Sequence, residues 1–276
     1  MTVIAMTREI GSFGLDVAAG LATALGLEII QCDSVANSVA ERLGADASAV
    51  LRYVNGSASL LERWQIDRRK LFHYAAEEIL RLAQQDNVLI KGWGVATLLR
   101  DLPGVISVRV CAPMEFRVRV LMDRLGTKDV GAVREQIERY DAARARTMRA
   151  YFNVEQEDPR LYHIVLNTQR LSIEACVKTV SELAKSARFQ DAAAIRSTLA
   201  NKLVEARIGS VLAERISLVA APLGVSVSVG NGMITLSGTT SSGSVRKRAE
   251  KIARDVAGAC RIDNRIVSVP NRGGAL

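Results

Sequence analysis

The sequence predicts an α/β domain with a parallel sheet flanked by helices, followed by a small α+β unit of order α-β-β-α-β. Three observations carry that expectation. Short apolar runs at 3–6, 27–31, 87–91, 105–111 and 163–166 alternate with stretches of helical periodicity, the pattern of strands joined by crossover helices. After about residue 190 the pattern changes to GVSVSVG, Asn231-Gly232 and MITLSG, alternating residues around the dipeptide that favours a two-residue hairpin turn. The charge is split as well. Residues 195–276 carry 12 Lys/Arg against 5 Asp/Glu, whereas residues 1–194 carry 25 against 24, so the net +8 belongs almost wholly to the C-terminal segment.

Taken in order, VIAM (3–6) reads as a buried strand, followed by a Gly/Ser turn and a helix with Val17, Leu21 and Leu25 on one face that ends at Gly26. LEIIQ (27–31) is the second strand. Helices are expected at about 34–43 and 58–85, the latter with Leu71, Ala75, Ile79 and Leu82 as its buried stripe. NVLIK (87–91) is a third strand leading to Gly92 and Gly94, and VISVRVC (105–111) a fourth, stopped by Pro113. Arginine-rich helices follow at 114–125 and 129–151, then HIVL (163–166) and a helix at 172–187. The second unit has helices near 196–213 and 243–257 and a last strand at 262–269. The resulting division is 1–187, a linker at 188–196 that contains no Gly or Pro, 197–270, and a tail at 271–276.

At 276 residues, 49% hydrophobic and 24% charged, the composition is that of a globular protein, with an aliphatic core because aromatics are only 4%. No apolar run approaches the roughly 20 residues of a membrane span, and the N-terminus lacks a basic start followed by an apolar stretch, so the expected location is the cytoplasm. Cys32, Cys111, Cys176 and Cys260 lie far apart with no CxxC pair, against zinc or a disulfide framework. His73, in a predicted helix, and His163, beside an apolar strand, are read as structural.

In parallel sheets ligands bind beyond the carboxyl ends of the strands. The first such turn, IAMTREIGSFGLDVA, can aim backbone N–H groups and a helix N-terminus at a phosphate. By itself the turn is equally an ordinary strand-to-helix connection. It is followed, in one order, by CDSV, KGWG, CAPMEFRVRVLMDR, YDAARARTMRAYF and VLNTQRLSIEACV. Together these segments resemble the cytidylate kinase-like family of P-loop kinases over residues 1 to about 185. The resemblance implies a five-stranded parallel sheet, a helical insertion that binds the acceptor, an arginine-bearing lid, and transfer of the ATP γ-phosphate to CMP or dCMP with Mg²⁺. It implies phosphate binding by Gly11, Ser12 and Gly14, acceptor binding by Asp33 and Asp141, and a lid Asp-x-x-Arg formed by Asp141 and Arg144, with Arg144 and the nearby Arg146 as the catalytic arginines. Planar, permanently charged guanidinium groups suit a transferring phosphoryl group, although a solvated helix face is the competing reading for these arginines.

Two departures bear on activity. A full phosphate loop is Gly-x4-Gly-Lys-[Ser/Thr]. Here the lysine position falls near Gly14, followed by Leu15, so the lysine and the Mg²⁺-binding hydroxyl are both missing and no protein ligand for the metal is assignable. Arg8 either supplies the missing charge or is a surface residue. At KGWG the family commonly has arginine where this chain has Trp93. The alternatives to an active kinase are therefore a nucleotide-holding sensor with weak turnover and a membrane or partner-binding adaptor.

Residues 197–270 resemble a BON domain in the Asn-Gly turn, the exit from Leu236 to Gly238, the amphipathic helix and the Asn-Arg-Ile-Val strand. That family is small and non-catalytic, which implies a binding role, lipid included. Lys247, Lys251 and Arg254 share a helical face beside Arg246 and Arg248, which suits an anionic lipid surface or a protein partner, or is simply solvated. The unit has no aromatics for base stacking, which argues against nucleic acid.

Overall fold

The computed structural model describes residues 1–54, 58–59, 62, 64, 66–92, 94–216, 225–240, 242–258 and 260–269, with the side chains of residues 32 and 33 outside that description. The chain divides into two compact units, residues 1–66 with 82–196 and residues 67–81 with 197–276.

The first unit is built on a parallel sheet. Its elements are β1 (Val3–Arg8), α1 (Gly14–Leu25), β2 (Glu28–Gln31), α2 (Cys32–Leu43) and α3 (Ala47–Val54). After α4 (Arg68–Ala83) come β3 (Val88–Lys91), the short α5 (Val95–Leu98), β4 (Val105–Cys111), α6 (Met114–Leu125), α7 (Val130–Phe152), β5 (Ile164–Asn167) and α8 (Ile173–Ala184). The five strands lie in the order β2-β3-β1-β4-β5, all parallel. β1 is central, pairing Val3 with Val88 on one side and with Val105 on the other. Covered on both faces, it needs an unbroken apolar run, and Val3, Ile4, Ala5 and Met6 are all fully buried. Ile4, Met6, Ile106, Val108 and Leu166 meet Val17 and Leu21 of α1 and Cys176 and Val180 of α8 in one core. The chain crosses from one side of β1 to the other between β3 and β4, which opens the ligand crevice of such sheets at the carboxyl ends of β1, β3 and β4.

All five predicted strands of this sheet are present. Helix Ala47–Val54 was not foreseen, and of the single helix expected at 58–85 the described residues are helical at 62 and 64 and over α4, Arg68–Ala83, with 58, 59, 66 and 67 outside helix. Asp67 precedes α4 and accepts the Arg69 N–H at 2.9 Å, a local start signal that the longer helix ignored. Residues 67–81 of α4 group with the second unit, where His73 sits against Gly209 and Glu77 faces Arg207 at 3.8 Å. Burial holds the His73 pKa below the ordinary histidine value, as a structural imidazole requires.

The second unit contains α9 (Ala192–Arg215), β6 (Val225–Gly230), β7 (Met233–Thr240), α10 (Gly243–Ala257) and β8 (Arg261–Ser268). β6 and β7 form the antiparallel hairpin; its turn residues Asn231 and Gly232 both have positive φ, 50° and 71°, as a type I′ turn demands. α10 then crosses over so that β8 pairs with β7 in parallel. Ile234, Leu236 and Ile266 of the sheet bury Val245, Ala249, Ile252 and Ala253 of α10 and Ile208 and Leu212 of α9. This is the α-β-β-α-β order read from the sequence. α9 is longer than expected, beginning at Ala192 inside the stretch read as linker. Among the described residues no helix is long and apolar enough to cross a membrane.

Candidate active site

The turn after β1 is held in shape by its neighbours. Gly11 has φ +78°, and a Cβ there would lie 2.6 Å from the carbonyl oxygen of Arg117, the backbone of α6. Phe13 enters α1 through the left-handed region, φ 52°. Ser12 is fully buried; its hydroxyl donates to the Glu9 carbonyl at 2.8 Å and its N–H to the same oxygen at 3.3 Å. The Ser12 hydroxyl, expected from the resemblance to bind phosphate, is here engaged in shaping the turn. Among the described residues the N–H groups of Gly11, Phe13 and Gly14 donate to no backbone carbonyl, so these are the donors the turn offers an anion. Arg8 is half-buried, and its stem crosses Gly14, where a Cβ would meet Arg8 Cβ at 2.6 Å. That puts a guanidinium-bearing chain at the position where the full motif has lysine.

Gly11→Ala therefore combines left-handed strain, about 1–2 kcal/mol, with a backbone collision. Gly26→Ala is the control, since Gly26 shares the left-handed conformation, φ +63°, but has nothing within 4 Å. Both variants lose thermal stability in a melting experiment, and Gly11→Ala alone also loses nucleotide affinity by equilibrium dialysis.

Behind the turn lies a buried ionic network. Arg109, 5% exposed, projects from β4 and donates to Glu9 Oε1 at 2.6 Å and to the Gln156 carbonyl. Glu9 Oε2 accepts the Ala112 N–H at 3.1 Å and stands 3.5 Å from Arg117 Nε. Arg117, 6% exposed, reaches on to Asp141 on α7, 2.8 Å away. One turn further along α7, Arg144 Nη1 donates to the Tyr140 hydroxyl at 3.3 Å. Tyr162 closes the group beside Arg109, its hydroxyl donating to the Gln156 carbonyl at 2.9 Å. Burial pushes the Tyr162 pKa up against the pull of Arg109. Burial opposes the charge of Arg109, but Glu9 and Tyr162 outweigh it and raise its pKa. Cys111, at the end of β4, is raised by burial and by Glu9.

The network is not saturated. Arg117 Nη1 and Arg144 Nε are buried and have no hydrogen-bond partner among the described residues. A buried guanidinium donor without an acceptor is costly, and Arg117, the ion-pair partner of Asp141, leaves its Nε without a hydrogen-bond acceptor as well. Helical spacing separates Arg146 from this group. Asp141, Arg144 and Met148 share one face of α7, whereas Arg146, two residues on from Arg144, is turned to the other side and exposed. On the opposite flank, Thr147 Oγ1 donates to the Val54 carbonyl at 3.0 Å, tying α7 to the end of α3. Val54, Gly94, Arg144, Thr147 and Met148 line a small apolar hollow there. Asp33 is the second residue of α2, just past β2, and its side chain, like the whole of Trp93, lies outside the described residues.

Glu9, Arg109 and Arg117 were not singled out from the sequence. Their signal was present: an arginine inside the apolar run VISVRVC, in a strand covered on both faces, requires a buried carboxylate partner. Mg²⁺ is usually held by one or two carboxylates together with substrate phosphates. Here Glu9 and Asp141 are committed to arginines, the Ser12 hydroxyl is committed to the turn, and no group of three His, Cys, Asp or Glu is placed to hold a metal among the described residues. The described residues therefore do not fit a protein-held Mg²⁺.

The sequence model of the cytidylate kinase-like family matches residues 3–170. The chain belongs to the cytidylate kinase-like family. A BON domain model matches residues 191–270, so the family's kinase fold is here followed by a BON domain. The cytidylate kinase of Ignicoccus hospitalis is 29% identical over 188 residues, 66% of this chain and 99% of that protein. The cytidylate kinase of Pyrobaculum aerophilum is 26% identical over 178 residues, 64% and 90% of the two chains. Among solved structures, an uncharacterized protein from Eubacterium ventriosum superimposes with a TM-score of 0.50 at 19% identity, covering 67% of this chain and 99% of its own, which supports the fold. In this cytidylate kinase-like chain the buried network thus sits at the carboxyl ends of β1 and β4, on the side of the sheet where the family's resemblance placed phosphate.

Proposed function

We propose that the first unit is an ATP-dependent nucleoside-monophosphate kinase that phosphorylates CMP or dCMP, acting in the cytoplasm, with the BON domain as its binding module. The observation that carries this reading is the set of buried guanidinium donors that have no partner among the described residues, on Arg117, whose backbone packs against Gly11 of the turn, and on Arg144 of α7. Phosphoryl transfer needs positioning and charge neutralisation more than covalent help. In this assignment the free N–H groups of Gly11, Phe13 and Gly14, with Arg8, hold the phosphates of the donor nucleotide. Arg144 meets the transferring group, and Asp141 with Arg117 fixes the helix that carries it. Glu9 keeps Arg109 and Arg117 in register between β4 and α6. Asp33 holds the acceptor, a role supported by its position after β2 and by the resemblance. Cytidine as the base rests on the relatives named cytidylate kinase.

For the BON domain, Arg246 donates to the Asn264 carbonyl, Arg248 to the Arg215 carbonyl, and Arg254 pairs with Glu250 at 3.1 Å. Lys247 and Lys251, one turn apart and exposed on α10, are left to face an anionic lipid surface or an acidic partner.

Isothermal titration tests the reading. With a non-hydrolysable ATP analogue present, CMP and dCMP are expected to bind at least about tenfold more tightly than AMP or GMP, a difference of about 1.4 kcal/mol. Equal affinity for all four contradicts the base assignment, and absence of nucleotide binding contradicts the kinase reading itself.

A further inference from the structure

The geometry points to a second anion site in the first unit, at the opposite end of the sheet from the phosphate turn: a cleft that binds a small phosphorylated compound through Arg100, Arg188 and the Nε2–H of His163. The cleft measures about 370 Å³ and is lined by residues 100–104, His163, Arg188 and Phe189. That volume lies within the range of small-molecule sites. It opens before the amino ends of β4 and β5, since Val105 starts the first and Ile164 the second.

His163 is built as a donor. The Ser107 N–H points at its Nδ1 at 3.1 Å, and the Ser107 hydroxyl lies 2.7 Å from the same atom. A backbone N–H can only donate, so Nδ1 is the acceptor and the ring proton sits on Nε2, at the far side of the ring. The Ser107 hydroxyl in turn accepts the His163 N–H at 3.0 Å, which fixes the pair from both sides. The imidazole is braced edge-on against Phe189, ring centroids 5.2 Å apart. Burial, aided by Arg188, holds its pKa below the ordinary value, so it presents a neutral N–H.

The walls are preformed. Gly104 has φ +76° and lies so close to Ile195, which belongs to the same first unit, that a Cβ there would overlap its Cδ1 at 2.0 Å, so Ile195 closes on the 100–104 turn. Arg188 lies over Phe189, 6.0 Å from the ring centroid. Among the described residues Arg100 pairs with the exposed Asp101, 3.3 Å away, a contact that water screens heavily. Two guanidinium groups and a neutral imidazole N–H against one exposed carboxylate favour an anion with several acceptor oxygens, which is the chemistry of a phosphate monoester. The floor of the cleft, Ala187–Phe189, leads directly into the region matched by the BON domain. None of these groups belongs to the proposed kinase chemistry, so the inference stands or falls independently of it.

The chain has two histidines, which makes the test specific. Imidazole resonances of the full chain are followed by NMR during titration with inorganic phosphate and with glycerol 3-phosphate, with chloride at matched ionic strength as control. The expected result is a saturable shift of the His163 resonances with both phosphates and not with chloride, while His73 stays in place. Affinity falls by roughly tenfold or more in Arg100→Gln/Arg188→Gln, as losing charge-assisted hydrogen bonds requires. The shift persists in Arg144→Ala, which separates this cleft from the phosphate turn. An unmoved His163, a response equal to that with chloride, or an undiminished shift in the double-arginine variant overturns the proposal.

Discussion

Arg144→Ala is expected to lower kcat by about 10³-fold or more, the range over which arginines act on phosphoryl transfer, with ATP affinity changed by no more than about threefold. The reasoning starts from its surroundings. Arg144 has one neutral partner, the Tyr140 hydroxyl, and a buried Nε with none among the described residues. Removing the side chain therefore breaks no ion pair among the described residues, and folding should be preserved. What disappears is an unmet donor whose acceptor arrives with substrate, so the loss should fall on the transition state rather than on ground-state binding. Arg144→Lys should recover little, because an ammonium cannot reproduce a planar guanidinium aimed through Nε. Arg146→Ala, on the exposed side of α7, should leave kcat within about twofold of the parent. Steady-state kinetics on the three variants decides the matter. A fall in ATP affinity matching the fall in kcat, or an Arg146 effect as large as that of Arg144, contradicts the assignment.

Glu9→Gln should be the most destabilising single change at the site. Glu9 is the shared anion of Arg109 and Arg117, whose side chains are only 6% and 7% exposed. Breaking a buried pair by removing one partner costs about 3–5 kcal/mol, because the opposite charge stays buried. In Glu9→Gln/Arg109→Met that charge is also removed, and part of the stability should return. Hydrogen exchange at the β1 and β4 amides reports the effect locally, which avoids assuming a single transition for a chain of two units. A loss below about 1 kcal/mol would place the network in the class of screened surface pairs.

Much of the fold was legible because its strands are short apolar runs set between turn residues. VIAM, VISVRVC and the Asn231-Gly232 hairpin each carry their own local explanation. The second unit was equally readable, since alternation, turn and amphipathic helix agree there. The segment from 44 to 67 was not. Ala47–Val54 is too short to announce itself by periodicity, whereas beyond this segment the stripe read at Leu71, Ala75, Ile79 and Leu82 is buried in α4. At the site, Gly11, Gly14, Asp141 and Arg144 were singled out through motif order. Arg146 was included because it is near in sequence, and it stands exposed on α7. Glu9, Arg109 and Arg117 were missed because a buried ionic network joins residues 100 or more positions apart, which no spacing rule connects. The motif vocabulary also looks for a lysine, while this chain places the stem of Arg8 over Gly14.

The central claim is phosphoryl transfer to a cytidine acceptor, and ADP release tests it most directly. Purified full-length protein is supplied with ATP and Mg²⁺ and challenged with each nucleoside monophosphate in turn. The account predicts ADP release that depends on CMP or dCMP and is lost in Arg144→Ala. Absence of acceptor-dependent turnover with every monophosphate, while the nucleotides still bind, would contradict it and leave a nucleotide-holding protein in place of a kinase.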